Sequence, residues 1–387
     1  MFVMSNVPEQ DIRVCKEART LKQAGYVTLL LYWDREGKSN RLGNTEEYDE
    51  KLCLRFKAPS GIKLIPFLPV WWSFVCVSLL MQKWDIVHAL NFHSIIPSLI
   101  AGKLKRKPVI YEILDVYEWR LPRMVRTICM GLDKLYMRLA DGIIIADEAQ
   151  IEGIGGIPNH NIVPIYDSPP DSFSKKDSGY LGNQMKGNFA LFYAGALYKN
   201  RRLNLDKVVE AVKDIEGVKL IIAGYGDLVN EIKEWSCRLP DKVEFIGKIS
   251  YEEVIERGLR ADLFFVLRDS TVPTNRFTCG SNLFNAMICG KPILANGGSS
   301  TATKVYEENC GLVVDANSVA EIRKAILKLK ENPQLCQELG TTGRKAYEQK
   351  YSWEIMEQRL LALYQELGGE PGQETERHNC EQGGKVK

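Results

Sequence analysis

A chain of 387 residues, 45% hydrophobic and 26% charged, has apolar material for two globular cores, and at about 150 residues per domain two domains are the simplest division. Lys and Arg number 51 against 49 Asp and Glu, so the net charge of +2 excludes a global field for nucleic acid and leaves basic surface as a local feature. Ten cysteines without a CxxC pair, none clustered with the four histidines, argue against zinc. With no signal peptide evident, they read as small core residues in the cytosol.

Residues 1–4 form an apolar run entering the loop Ser5-Asn6-Val7-Pro8, the pattern of a first strand. Val14, Ala18 and Leu21 keep helical spacing up to Gly25, and 27–32 reads as a buried strand; this β-α-β opening is the unit of a parallel sheet. Residues 64–81 are almost uncharged and contain Trp71, Trp72, Phe74 and Val75. Pro66 and Pro69 are expected to confine the helix to about 70–82, short of the roughly 20 residues that span a bilayer. A core helix with an aromatic face toward lipid is preferred, and a wholly buried helix is the plainer alternative. Strands follow at 86–89, 108–111 and 142–146, with helices near 95–104 and 122–139.

A turn-rich stretch at 158–187 interrupts the rhythm, which restarts with strands at 189–194, 218–223, 243–245, 263–266 and 292–295. The expected organisation is therefore α/β, with two Rossmann-like doubly wound parallel-sheet domains facing a cleft. An amino-terminal domain spans 1–170, a linker 171–187 and a second domain 188–350. A helix at 351–367 packs back on the first domain, and a disordered tail occupies 368–387.

Three loops of the second domain fall at the carboxyl edge of its sheet, where doubly wound folds bind ligands. Gly195 ends a strand ahead of Lys199, Asn200, Arg201 and Arg202, and arginine forks suit phosphate oxygens; a solvated basic turn explains the same residues. Gly224 and Gly226, with Asp227, end the next strand, where glycine lets a backbone approach a ligand or simply permits a tight turn. A polar loop then enters a helix at Ser281 and Asn282 that stops at Gly290. Its amino terminus favours phosphate, and a capped structural helix accounts for everything except the interior Asn285.

In order, Tyr193-Ala-Gly with Arg201, Gly224-Tyr-Gly-Asp, Phe284-Asn-Ala-Met with Cys289-Gly-Lys-Pro, Asn309-Cys-Gly-Leu-Val-Val-Asp and Tyr351-Ser-Trp-Glu resemble the family 4 group of GT-B glycosyltransferases, the glycosyl transferases group 1. Asp11-Ile-Arg-Val, Glu17-Ala and Asp85-Ile-Val-His-Ala agree in the first domain, so the resemblance covers about 1–366. It implies a nucleotide-sugar donor held mainly by the second domain, an acceptor on the first, no metal or other cofactor, and retention of anomeric configuration. Arg201 matches the basic residue facing the donor diphosphate. Asn285 replaces the usual ribose-binding glutamate, Ser281-Asn282 stand where relatives often read Asn-Lys, and Leu114 stands where many have a histidine.

The expected activity is transfer of a sugar from a UDP- or GDP-sugar to a glycan or lipid-linked acceptor in cell-surface polysaccharide or glycolipid synthesis. The alternative is a weakened subunit that binds nucleotide or a partner without transfer. Stabilising the diphosphate leaving group falls to Arg201, Arg202, the 224–226 amides and the helix start at Ser281, with Lys304 a lesser candidate. Asp115 is the expected cleft carboxylate or else a turn aspartate, and Asp11, Arg13, His88 and His93 are the acceptor-side candidates. Residues 101–140 hold nine Lys or Arg against four acids, an excess that suits anionic headgroups or a solvated helix surface. The expected location is cytoplasmic, with peripheral contact at the inner membrane face.

Overall fold

The computed structural model describes residues 1–7, 12–37, 47–59, 61–114, 123–156, 161–170 and 188–369. Asp11, Asp115, the 171–187 linker and residues 370–387 of the tail lie outside the described residues.

The first domain runs β1 (Phe2–Met4), α1 (Ile12–Gln23), β2 (Leu29–Asp34), β3 (Glu50–Arg55), α2 (Leu68–Met81), β4 (Val87–Leu90), α3 (Asn91–Lys105), β5 (Val109–Ile113), α4 (Arg123–Leu139), β6 (Gly142–Ile145), α5 (Gln150–Gly153) and β7 (Ile162–Pro164). Its seven strands, all parallel, lie in the order β3-β2-β1-β4-β5-β6-β7. The central strands are buried from end to end, which is why they read as unbroken apolar runs rather than as alternation. On one face, Trp33 of β2 stacks on Trp71 of α2 at 5.7 Å.

The second domain runs β8 (Phe189–Ala196), α6 (Leu205–Val212), β9 (Val218–Tyr225), α7 (Val229–Arg238), β10 (Val243–Gly247), α8 (Tyr251–Arg260), β11 (Leu263–Val266), α9 (Pro273–Phe277), α10 (Ser281–Ile288), β12 (Ile293–Asn296), α11 (Ser300–Glu307), β13 (Gly311–Val314), α12 (Val319–Lys330) and α13 (Pro333–Ala346). Six parallel strands take the order β10-β9-β8-β11-β12-β13, so the order reverses between β8 and β11. That crevice is where such sheets hold ligands. The last helix, α14 (Trp353–Glu366), lies against the first domain: Glu357 accepts from Thr20 of α1 at 2.8 Å and Arg359 donates to Pro164 O at 2.9 Å.

Three strands escape the sequence reading: β3, β7 and β13. All are sheet edges, where a strand needs no apolar run on both faces; β3 reads Glu-Lys-Leu-Cys-Leu-Arg and β7 ends in Pro164. The α-helix of the 64–81 segment is confined much as expected, to Leu68–Met81 against about 70–82, but a second helical stretch precedes it. Pro66 sits inside a 3-10 stretch, Gly61–Phe67, that leads into α2, and Pro69 lies in the first turn of α2, where a helix needs no N–H donor. The helical run Lys63–Met81 is consequently long and apolar enough, by length and composition, to cross a membrane. Trp71, Val75 and Leu79 are nevertheless fully buried against the sheet.

Candidate functional site

The site at the β8/β11 crevice is assembled by loops that brace one another. Gly224 (φ +148°) and Gly226 (φ +146°) are required by packing: a Cβ on Gly224 would lie 2.0 Å from Gly195 O, and one on Gly226 2.3 Å from Leu197 O. These glycines bring the β9 turn onto the β8 turn, where Lys199 N donates to Asp227 Oδ1 at 2.7 Å and Leu228 N to Leu197 O at 3.0 Å. Their close approach is thus to neighbouring backbone.

Arg201 and Arg202 follow in and after a 3-10 turn, Lys199–Arg201. Arg202 is committed: its guanidinium donates to Asp269 Oδ2 at 2.9 Å while Asp269 N donates to Arg202 O at 3.0 Å. Arg201 is exposed and makes no ion pair among the described residues, while its main chain is fixed by the buried Asn275, whose Nδ2 donates to Arg201 O at 2.7 Å and Asp269 O at 3.0 Å. A free guanidinium on a pinned loop is a preorganised anion contact.

Asn275 was not singled out from sequence, nor was Arg268. Arg268 follows β11 at the reversal point, with Asn296 Nδ2 donating to its carbonyl at 2.8 Å. Its guanidinium carbon lies 3.4 Å from where a Cβ on Gly280 would stand, and its Nε is buried without a hydrogen-bond partner among the described residues. Gly280, the residue before α10, has no side chain to cap the helix, and the Arg268 cation stands beside the helix start at Ser281.

Two expected donor contacts are otherwise engaged. Asn282 is fully buried; its amide accepts from Ala194 N at 3.3 Å and donates to Ala194 O at 3.0 Å, stapling α10 to β8 and removing it from phosphate reach. Asn285 Oδ1 accepts from Tyr251 OH at 2.9 Å, so one of the two lone pairs of the oxygen expected for a ribose hydroxyl is already engaged. Burial holds the Tyr251 phenol well above its ordinary pKa, which keeps it a donor.

Lys304 points across the domain interface instead of toward phosphate. Its Nζ donates to Asp147 Oδ1, just beyond β6, at 3.2 Å; Asp147 also accepts from Ser300 Oγ at 2.6 Å and Cys279 N at 3.0 Å. Lys304 lies 4.9 Å from the Tyr166 ring centroid, and Tyr166 packs against Phe284 at 5.5 Å, so charge and apolar contact together join the two domains.

Among the acceptor-side candidates, Arg13 and His88 prove structural. Both are buried between the sheet, α1 and α14: Arg13 pairs with Glu17 at 3.0 Å and Glu112 at 2.5 Å, His88 Nε2 lies 2.9 Å from Glu112 and its Nδ1 3.0 Å from Tyr364 OH. Burial pushes His88 down to about 4 and, reinforced by Glu112, pushes Glu17 up to about 8. Glu17, His88 and Glu112 offer metal-type ligands within 4.8 Å of one another, yet the guanidinium of Arg13 already bonds both carboxylates.

His93 stands at the carboxyl edge of the first sheet, at the start of α3, with Nδ1 3.3 Å from Ser5 Oγ. Burial, aided by the Arg35 charge, pushes it down to about 4, so it is a neutral imidazole at pH 7. Arg35, bonded to Asn6 Oδ1, stands near it and was not anticipated.

Residues 176–346 match the family model described as Glycosyl transferases group 1. That match takes in most of the second domain and less than half of the chain. The chain is 26% identical over 169 residues to the GDP-mannose-dependent monoacylated alpha-(1-6)-phosphatidylinositol monomannoside mannosyltransferase of Corynebacterium glutamicum, covering 42% of this chain and 44% of that protein. It is 30% identical over 189 residues to an uncharacterized glycosyltransferase of Methanocaldococcus jannaschii, covering 48% and 50%. The chain spans about half the length of these curated relatives. Sucrose-phosphate synthase of Thermosynechococcus elongatus superposes on both domains together, with TM-score 0.72, 16% identity and coverage of 95% of this chain and 99% of that one. Anabaena HepE in complex with UDP gives 0.70, 15%, 94% and 99%. At these identities the likeness is one of fold, two Rossmann-like domains of GT-B type.

Proposed function

We propose that the chain is a glycosyltransferase of the group 1 type whose second domain holds a UDP- or GDP-sugar and whose first domain receives a glycan or lipid-linked acceptor. The reading rests on Arg201 at the crevice between β8 and β11, whose guanidinium makes no ion pair among the described residues and whose main-chain carbonyl is held by Asn275. It is supported by a GDP-mannose-dependent relative and by a fold neighbour in complex with UDP.

Departure of the nucleoside diphosphate leaves negative charge on its oxygens, and Arg201, Arg268 and the first-turn amides of α10 are the donors assigned to it. The transfer is metal-independent and retaining: the departing phosphate takes the acceptor proton on the face where the sugar is attacked. Asp115, which follows Leu114 in the sequence and lies outside the described residues, is the carboxylate assigned to this scheme, and His93 and Arg35 orient the acceptor.

The weakened-subunit alternative draws on one observation, the capture of Asn285 by Tyr251. A panel of UDP- and GDP-sugars, assayed for hydrolysis and for transfer to lipid acceptors, separates the two. Turnover of one donor supports the transferase; tight binding with no turnover across the panel supports the alternative.

A further inference from the structure

Three crossover helices of the first domain lie side by side, and the surface they turn outward is apolar and cationic. α2 packs along α3, with Trp72 Nε1 donating to His93 O at 3.0 Å, and α3 meets α4 where the Phe92 and Tyr136 rings are 5.7 Å apart. Each helix gives its other side to the core: Trp71, Val75 and Leu79 of α2 are fully buried, and α4 is anchored by Asp133, which accepts from Tyr111 OH at 2.6 Å.

The outward side of α4 exposes Met124, Ile128, Leu132, Leu135 and Leu139, from 38% to 74% accessible. Their spacing of three and four makes one stripe about 22 Å long. Ile100 and Leu104 of α3 and Leu80 and Met81 of α2 are likewise exposed. A solvent-facing helix side ordinarily carries polar residues, and a contiguous apolar surface of this kind marks an interaction site.

Charge identifies the occupant. α2 and α3 contain no Asp or Glu, and the one acid of α4, Asp133, is buried, whereas Lys83, Lys103, Arg106 and Arg138 are exposed at the margins. The exposed acid near that margin, Asp85, is already paired with Lys107 at 2.9 Å, so a second copy would bring the same cations without free acids to match them. An anionic bilayer supplies both an apolar layer for the stripe and negative headgroups for its rim. We propose that the α2-α3-α4 face seats on an anionic lipid surface. This deepens the reading of a membrane-carried acceptor, since α3 begins at the carboxyl end of β4, beside His93. α2 docks and does not span, because the side bearing Leu68, Trp71, Val75 and Leu79 belongs to the core.

The test is co-sedimentation of the whole chain with phosphatidylcholine vesicles, alone or with about one third phosphatidylglycerol. The wild type is expected to bind the anionic vesicles and to be released by salt. Ile128→Asp/Leu135→Asp and, separately, Lys103→Glu/Arg138→Glu are each expected to weaken binding about tenfold or more while keeping the wild-type melting temperature. Absence of binding at low salt, or equal binding by wild type and both variants, overturns the proposal. So does a wild-type dimer in sedimentation velocity that Ile128→Asp/Leu135→Asp dissociates. Nucleotide affinity measured on the same preparations tells a failure of this face from a failure of the donor reading.

Discussion

Replacing Asp147 by alanine should loosen the docking of the two domains while leaving each core intact. Asp147 is fully buried on the first domain and its three interdomain partners, Cys279 N, Ser300 Oγ and Lys304 Nζ, all belong to the second. Removing one member of a buried ion pair typically costs about 3–5 kcal/mol, because the other charge stays desolvated. Lys304 retains the Glu148 carboxylate at 3.6 Å and the Tyr166 ring, which places the loss at the lower end, about 3 kcal/mol. Urea denaturation followed by tryptophan fluorescence reads the change. Asp147→Asn, which keeps acceptors for Cys279 and Ser300 but not the charge, should fall between, and Asp147→Ala/Lys304→Met should recover part of the loss through coupling. An Asp147→Ala stability within about 0.5 kcal/mol of wild type refutes the reasoning, since that is the range of ordinary surface substitutions.

Glu17 gives a pH prediction of definite sign. Its folded pKa of about 8 lies above its ordinary value of 4.5, so its contribution is complete below about 4.5 and is lost as pH rises through 8. His88, lowered from 6.5 to about 4, contributes stability that is present above 6.5 and lost as pH falls through 4. The two slopes oppose between 4.5 and 6.5, and from 6.5 to 8 the falling Glu17 contribution is opposed by the buried Met1 amino group, lowered from 8.0 to about 5, whose contribution rises with pH; across 6.5 to 8 the melting temperature of Glu17→Gln should therefore rise relative to that of wild type. Parallel curves would remove Glu17 as the cause. Gly224→Ala must displace the β8 turn, because its methyl would stand 2.0 Å from Gly195 O at φ +148°. A destabilisation of about 1–3 kcal/mol is expected in thermal melts, with weaker nucleotide binding, and an unchanged melting temperature would show that the turns are not so tightly joined.

How much of this was visible in the chain depended on whether a feature is local. Central strands such as β9 and β11 announce themselves because burial on both faces demands consecutive apolar residues; the edges β3, β7 and β13 are released from that demand. Arg201 was legible because its loop lies one turn beyond a strand. Asn275, 74 residues away, and Arg268 were not, since their roles exist only once β11 lies beside β8. Asn282 and Asn285 illustrate the opposite failure: their helix was anticipated, but Ala194 and Tyr251, which occupy their amides, are distant in sequence. His88 and Arg13 looked like cleft residues beside a strand and a loop, yet α14 covers them after crossing back from the second domain.

Calorimetric titration of UDP- and GDP-sugars into wild type, Arg201→Ala and Arg202→Ala addresses the donor site most directly. One donor should bind the wild type, and Arg201→Ala should weaken it by about 1–3 kcal/mol through loss of a charged contact. Arg202→Ala, whose guanidinium is already paired with Asp269, should weaken it less. An affinity unchanged by Arg201→Ala, or no binding of any donor by wild type, would contradict a nucleotide-sugar site at the β8/β11 crevice.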